Sequence, residues 1–387
     1  VATHGRGLFV LDNITPIEDF TPQVASKDFY LFPVQQATKW KPARRSGGFE
    51  AASFTTPNAP AGVVIDYYLA KDVEMPNQNG EGMDAGRPRP AAGEGAPSPF
   101  GPEVAMNASN RRTPVKFTVT DSNGQVVRVF YGPAKAGINR IVWDMTYDGP
   151  TRLAIVPPRE GNEFRGFGGG PAVLPGQYKI SVSITNKDAG TEMADIRPDP
   201  RVPYNMEAAR AQLKFALEGR EMMSAMNQAM NRLEGLNQQI ASMRRLLGAG
   251  EEGGASMQNA SYQPVLREAA QLERKVHQMQ ESVYNMEGRN DTEARLHYMA
   301  KFYDRLQSAT RSGGFGAGYN EPPSQMQMEE LQEVRQELDK TLASYNNFIH
   351  TDVAAFNKVA SEKGAATLFA GNPIELKGST SASGGQR

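Results

Sequence analysis

Gly176–Thr185 reads GQYKISVSIT, and its alternation decides the character of the first half of the chain. Tyr178, Ile180, Val182 and Ile184 recur every second residue, with Gln177, Lys179, Ser181 and Ser183 between them. A period of two puts one set on each face of an extended strand, so this segment predicts a strand with one apolar and one wet face. Upstream, Ala61–Leu69 (AGVVIDYYL), Val115–Thr120 (VKFTVT), Val126–Tyr131 (VVRVFY) and Gly137–Tyr147 (GINRIVWDMTY) carry the β-branched and aromatic residues of further strands. Asp121–Gly124 (DSNG) between two of them is a hairpin turn. Short alternating strands separated by turns predict an immunoglobulin-like antiparallel β-sandwich over residues 25–200.

Two stretches in that region read as connections. Residues 76–113 hold almost no large apolar side chains and many Gly, Pro and Ala, which predicts a disordered hairpin insertion. A partner-binding loop using Arg87, Arg89, Arg111 and Arg112 is the alternative, although acids are interspersed with them. The glycine-rich run Gly161–Gly170 lacks the Gly-Lys-Ser/Thr end of a phosphate loop and any following helix, so it too reads as a loop. Ahead of the sandwich, Leu8–Leu11 predicts a short strand after the turn signal Gly5-Arg6-Gly7, and Pro16 and Pro22 mark a linker. The first 24 residues are thus read as a strand plus a linker, with the sequence starting inside a strand and any targeting signal lying further upstream.

Beyond about residue 200 the period changes. Leu213, Leu217, Met226, Met230, Leu233, Leu236, Ile240, Met243 and Leu247 recur at three- and four-residue steps, with Asn205 as N-cap and Gly248 as terminator. A second stripe runs through Leu266, Ala269, Leu272, Val276, Met279, Val283 and Met286 to Gly288. A shorter third joins Leu296, Met299, Phe302, Tyr303 and Leu306. Ser324-x-x-Gln327 is a capping box opening a fourth stripe of Leu331, Val334, Leu338, Leu342, Tyr345 and Ile349. Narrow stripes of this kind predict a C-terminal antiparallel helical bundle over 201–363, followed by a tail over 364–387. Met222, Met223, Met226, Met230 and Met243 fall mainly on the apolar stripe, which assigns them to core packing rather than to an exposed methionine groove.

Composition narrows the chemistry. The 387 residues contain no Cys, which excludes disulfides, thiolate nucleophiles, iron–sulfur clusters and Cys-ligated zinc. Lys plus Arg number 42 against 43 Asp plus Glu, a balance without the electrostatic footprint of nucleic-acid binding. No run approaches the roughly 20 apolar residues of a membrane span. His4, His277, His297 and His350 fall one to an element, with no H-x-x-x-H pair, so no metal ion and no cofactor is expected. No Gly-x-Ser-x-Gly elbow is present. The one carboxylate–aromatic grouping is Asp66 and Tyr67 on one strand with Trp143, Asp144 and Tyr147 on another, accompanied by Tyr68 and Asp148. Such groupings bind sugars, and the same residue types also fill strand and turn positions around a sandwich core. They are the candidate binding residues; no catalytic set is expected.

Several segments also carry a family likeness. VATHGRGLFVLDNITPIEDF, with Thr3, His4, Gly5, Arg6, Leu11, Asp12, Thr15 and Pro16, resembles the final propeller strand and exit linker of bacterial sortilin-like, neuraminidase-repeat β-propeller proteins. AGVVIDYYL, GINRIVWDMTYDGP, VLPGQYKISV and RPDPR follow in the order of that family, and LASYNNFIHTDVAAFNKVASEKGAATL resembles its C-terminal helical region. The resemblance implies a multidomain, β-then-α chain from a secreted or periplasmic protein, with its own upstream propeller as partner and a polysaccharide or protein as ligand. It also implies a non-catalytic accessory role, or else membership of a glycoside hydrolase whose catalytic residues lie in the propeller. No residue here matches an Asp-box or a sialidase arginine cluster, so the resemblance assigns no catalytic residue.

Overall fold

The computed structural model describes residues 2–3, 7–8, 13–41, 61–74, 114–154, 170–247, 261–284, 301–312 and 321–376. Strands come first and helices follow. The described residues fall into two compact units, one within Val1–Asp148 and Ala172–Tyr204, the other within Gly149–Pro171 and Asn205–Arg387.

In the first unit, β1 (Ala2–Thr3) pairs antiparallel with β2 (Gly7–Leu8), whereas the expected strand Leu8–Leu11 lies mostly outside the described residues. Two short helices, α1 (Thr15–Glu18) and α2 (Pro22–Ala25), each begin with a proline in the first turn, where its missing N–H is harmless. The strands that follow are β3 (Phe29–Leu31), β4 (Ala37–Lys39), β5 (Val63–Leu69), β6 (Val115–Thr120), β7 (Val126–Tyr131), β8 (Gly137–Trp143), β9 (Gly176–Ile184) and β10 (Lys187–Pro198). They form a three-stranded sheet in the order β3-β5-β8 and a five-stranded sheet in the order β4-β10-β9-β6-β7. The alternation seen in GQYKISVSIT is realised: Tyr178, Ile180 and Val182 are buried.

The five-stranded sheet is mixed, which departs from the all-antiparallel expectation. Strand β4 runs parallel to β10, with Ile196 opposite Ala37. Between β3 and β4, Pro33 has no N–H to offer a ladder, and the chain passes from one sheet to the other. Both sheets feed one apolar core that includes Ile65 and Tyr67 of β5, Trp143 of β8, Phe117 of β6 and Ile180 of β9. The predicted insertion at 76–113 and most of the glycine-rich run at 161–170 lie outside the described residues.

The second unit is built on α3 (Met206–Leu246), which at 1.5 Å per residue is about 60 Å long. Asn205 caps it as expected, its side chain accepting from the amides of Glu207 (3.0 Å) and Ala208 (3.1 Å). Helix α4 (Gln263–Val283), α5 (Phe302–Ser312) and α6 (Gln325–Phe348) pack against α3. The capping box at Ser324 and Gln327 is present. All five stripe methionines named above are buried in this core. Leu213 and Leu217 are only half-buried, while Phe215 and Gly219 face inward. At Gly219 a Cβ would come within 2.9 Å of Thr310, so glycine is what lets α5 approach α3.

After Phe348 the helix opens into a π-helical turn, Ile349–Val353, before α7 (Ala354–Glu362). The additional residue in that turn keeps Val353, Phe356 and Ala360 on the buried side in continuation of Tyr345 and Phe348. Among the polar side chains buried in the helical unit, Gln280 of α4 is fully enclosed, accepts from Asn237 of α3 (3.0 Å) and donates to Glu234 (3.3 Å).

Two segments outside the expected helices also belong to this unit. Leu153, from a stretch read with the strands, is buried among the helices. Ser224 and Asn231 of α3 bind the backbone of Thr151 and Ala154 on either side of it. Residues 364–376, read as tail, contribute Leu368, Ile374 and Leu376 to the same core. Apolar side chains at alternate positions of an extended stretch are enough to bury it against helices, which a low-complexity reading overlooks.

Candidate functional site

Strand β5 separates the two expected partners on it. Its odd positions, Val63, Ile65, Tyr67 and Leu69, enter the core, so Asp66 necessarily points to the opposite face. Tyr67 packs against Phe117 at 5.3 Å between ring centres, and its hydroxyl donates to the Pro133 carbonyl. Burial drives its phenol well above the usual range. A Cβ on the neighbouring Gly132 would lie 2.6 Å from the Tyr67 hydroxyl, so the close approach requires glycine.

Asp66 is buried on the outer face and bound on all sides. Arg140 stands directly across from it in β8 and forks onto it, Nε to Oδ1 at 2.6 Å and Nη2 to Oδ2 at 3.1 Å. Asn13 donates its side-chain amide to Oδ2 at 3.2 Å, while its own backbone carbonyl accepts from Arg140 at 3.4 Å. The other end of the Asn13 side chain accepts from the Thr15 amide (3.1 Å) and from Gln35 (3.0 Å). A few residues on, Phe20 sets its edge against Tyr68, the next outward residue of β5, at 5.0 Å. Asp66 is therefore the post to which the segment carrying α1 and α2 is tied.

Trp143, Asp144 and Tyr147 do come together, around Arg128. Trp143 is buried, with its indole N–H donating to the Thr146 carbonyl at 2.9 Å and its ring edge-on to Tyr178 at 5.3 Å. Met145 adopts a left-handed backbone (φ 57°), which folds the chain back into a tight turn. Thr146 donates its hydroxyl to Asp144 at 2.6 Å. The buried Arg128 guanidinium fills the hollow of the turn, donating to the Tyr147 carbonyl at 2.7 Å and facing Asp144 at 4.0 Å and Asp148 at 3.6 Å. Of the five candidates, then, Tyr67 and Trp143 are core, Asp144 and Tyr147 belong to a turn built on Arg128, and Asp66 anchors an incoming segment.

A third cluster escaped the sequence reading although it lies in the RPDPR motif. The Asp199 carboxylate is fully enclosed and accepts from Arg201 Nη2 (2.6 Å), Arg201 Nε (2.9 Å), its backbone amide (3.0 Å) and the Lys41 amide (3.0 Å). Those donors, Arg201 first, hold its carboxyl far below the usual carboxylate range. Arg201 also lies 5.0 Å over the half-exposed ring of Trp40. Nearby in β4, Lys39 donates to the Val173 carbonyl at 2.7 Å, and burial lowers its ammonium to about 8. An Asp two residues before an Arg was the available signal, but nothing local says that Lys41 completes the cage.

A glycosidase needs two acids presenting free oxygens to one gap. Both oxygens of Asp66 are taken by Arg140 and Asn13, and Asp144 is engaged by Thr146 and Arg128. Among the described residues no group of three His, Asp or Glu side chains is placed to hold a metal ion, and no helix is long and apolar enough to cross a membrane. The helical unit has a hollow of about 250 Å³ lined by Met226, Leu233, Met279, Val283 and Tyr345, with Lys340 at its side; none of the five candidates contributes to it. Comparison of the chain with family models, curated proteins and solved structures finds no match.

Proposed function

We propose that this chain is a non-catalytic accessory region of a sortilin-like β-propeller protein, made of an immunoglobulin-like sandwich followed by a helical bundle. It packs on the propeller and binds a partner or polysaccharide. The observation that carries the reading is the Asp66–Arg140–Asn13 knot. The acid best placed for chemistry is spent on fixing the segment that enters the sandwich, which is what a rigid, oriented appendage needs. Support for the sandwich comes from the strand order, in which β3-β5-β8 and β4-β10-β9-β6-β7 share one core. The Tyr178 hydroxyl, near the start of β9, donates back to the Leu174 carbonyl at 2.7 Å, the arrangement of a tyrosine corner. The test is incubation of the chain with a panel of soluble glycans, following new reducing ends. No release is expected from the native chain. Turnover that disappears in Asp66→Asn or Asp144→Asn would overturn the proposal.

A further inference from the structure

We propose that the surface made by α3, α6 and α7 is a receptor groove for an extended peptide, that residues 366–376 fill it as an exchangeable intramolecular ligand, and that the same segment of a second copy of this chain fits there in trans. The segment alternates like a strand. Leu368, Ile374 and Leu376 are buried and Ala370 packs against the same core, whereas Phe369 is 81% exposed and Glu375 faces solvent. An extended stretch has unpaired N–H and C=O groups unless something meets them, and leaving them unmet in a partly dry groove is costly.

Here side-chain carboxamides take the place of a partner strand. A carboxamide carries a donor and an acceptor side by side, which matches the two backbone groups of one residue. Asn357 of α7 donates to the Leu368 carbonyl (2.9 Å) and accepts from its amide (2.7 Å). Gln239 of α3 does the same to Phe369, at 3.0 and 2.8 Å. Asn346 of α6 grips Ile374 at 2.9 Å in both directions. Between the second and third clamps, Arg232 of α3 donates to the Asn372 carbonyl, and Gly371 takes a left-handed turn (φ 75°) beside it.

Three bidentate clamps from three helices read backbone, not side chains, so discrimination falls to the buried Leu368, Ile374 and Leu376. That division is the one used when a peptide adds to a sheet edge: main-chain bonds supply affinity and alternate side chains supply specificity. A second copy presents an identical backbone and identical side chains. The cis connection runs through Gly364, itself left-handed (φ 68°), which is the hinge an exchange would use.

The experiment uses the full chain with its own ligand weakened and the groove untouched. A Leu368→Ala/Ile374→Ala chain is titrated against a fluorescent peptide of residues 364–376 carrying the native sequence, with anisotropy as the readout. In the native chain the tethered segment competes at an effective concentration of order millimolar, so the peptide should bind the variant at least tenfold more tightly. Adding Asn346→Leu should weaken that binding about tenfold, the loss of two hydrogen bonds. A peptide carrying the two alanines should not bind. Equal binding to native and variant chains, or none to a variant whose helical circular dichroism is intact, would overturn the proposal. Leu376→Ala alone provides the same comparison if the double variant loses its helical signal.

Discussion

Replacing Arg140 by Met keeps the aliphatic stem and removes the fork on Asp66. The Asp66 side chain is 4% exposed and Arg140 24%, so the acid stays buried while its main counter-charge disappears. Among the described residues, only the Asn13 amide, at 3.2 Å, would still donate to the carboxylate. Breaking a fully buried pair from one side costs about 3–5 kcal/mol, and the quarter exposure of Arg140 brings the expected loss to about 2–3 kcal/mol. For a unit of this size that is a drop of about 4–12 °C in melting temperature. The assay has a clean reporter, because both tryptophans, Trp40 and Trp143, belong to the β unit and Trp143 is buried in its core. Urea titration followed by Trp emission should show the midpoint fall with an unchanged slope. The Asp66→Asn/Arg140→Met double variant should lose less than the sum of the singles, by about 1–2 kcal/mol. A single-variant loss below about 0.5 kcal/mol, or strict additivity, would mean that water already serves the carboxylate and that the knot anchors nothing.

Two glycines of α3 should respond in opposite directions to alanine. At Gly219 the new methyl meets the buried Thr310 at 2.9 Å, so crowding outweighs the gain in helix propensity and thermal unfolding followed by circular dichroism should show a loss of about 1 kcal/mol. At Gly235 nothing lies within 4 Å of the added atom, and the same measurement should show a gain of about 0.5–1 kcal/mol. Lys39 gives a pH test. Its ammonium falls to about 8 in the folded chain, against 10.5 for a free lysine, so between those values the unfolded state holds the extra proton. Stability of the β unit should therefore rise as pH climbs from 8 towards 9.5, and Lys39→Met should flatten that rise in urea midpoints read by Trp emission.

Periodicity carried the sequence reading wherever one face of an element is dry. Strands β6 and β7 end where the pattern ends, and α3 begins at its cap. Where packing leaves most of a strand wet, the signal vanishes. Strand β10 is the longest of those described and pairs with neighbours on both sides, yet only Ala194 and Ile196 among its residues are deeply buried. Its Lys, Asp, Glu and Gly composition reads as a loop. Strands β3 and β4 are hidden for a different reason, being three residues each and divided by Pro33. The candidate residues stand out in the sequence by chemical type alone, whereas their places in the fold depend on register. Asp66 meets Arg140 only because β5 and β8 pair with Tyr67 opposite Asn139, a fact that no local pattern encodes. Likewise Arg128 becomes the hub of the 144–148 turn through a fold-back at Met145.

The buried carboxamide of Gln280 has a consequence for how the helical unit finds one arrangement. Methionines are pliable, and a seam rich in them tolerates many alignments of two helices at similar energy. Sliding α4 by a turn along α3 would carry Gln280 away from Asn237 and Glu234 and strand an amide in hydrocarbon, while methionine would adjust to the shift almost without complaint. This buried polar rung thus acts as an index mark that tells otherwise forgiving oily surfaces which alignment is the native one.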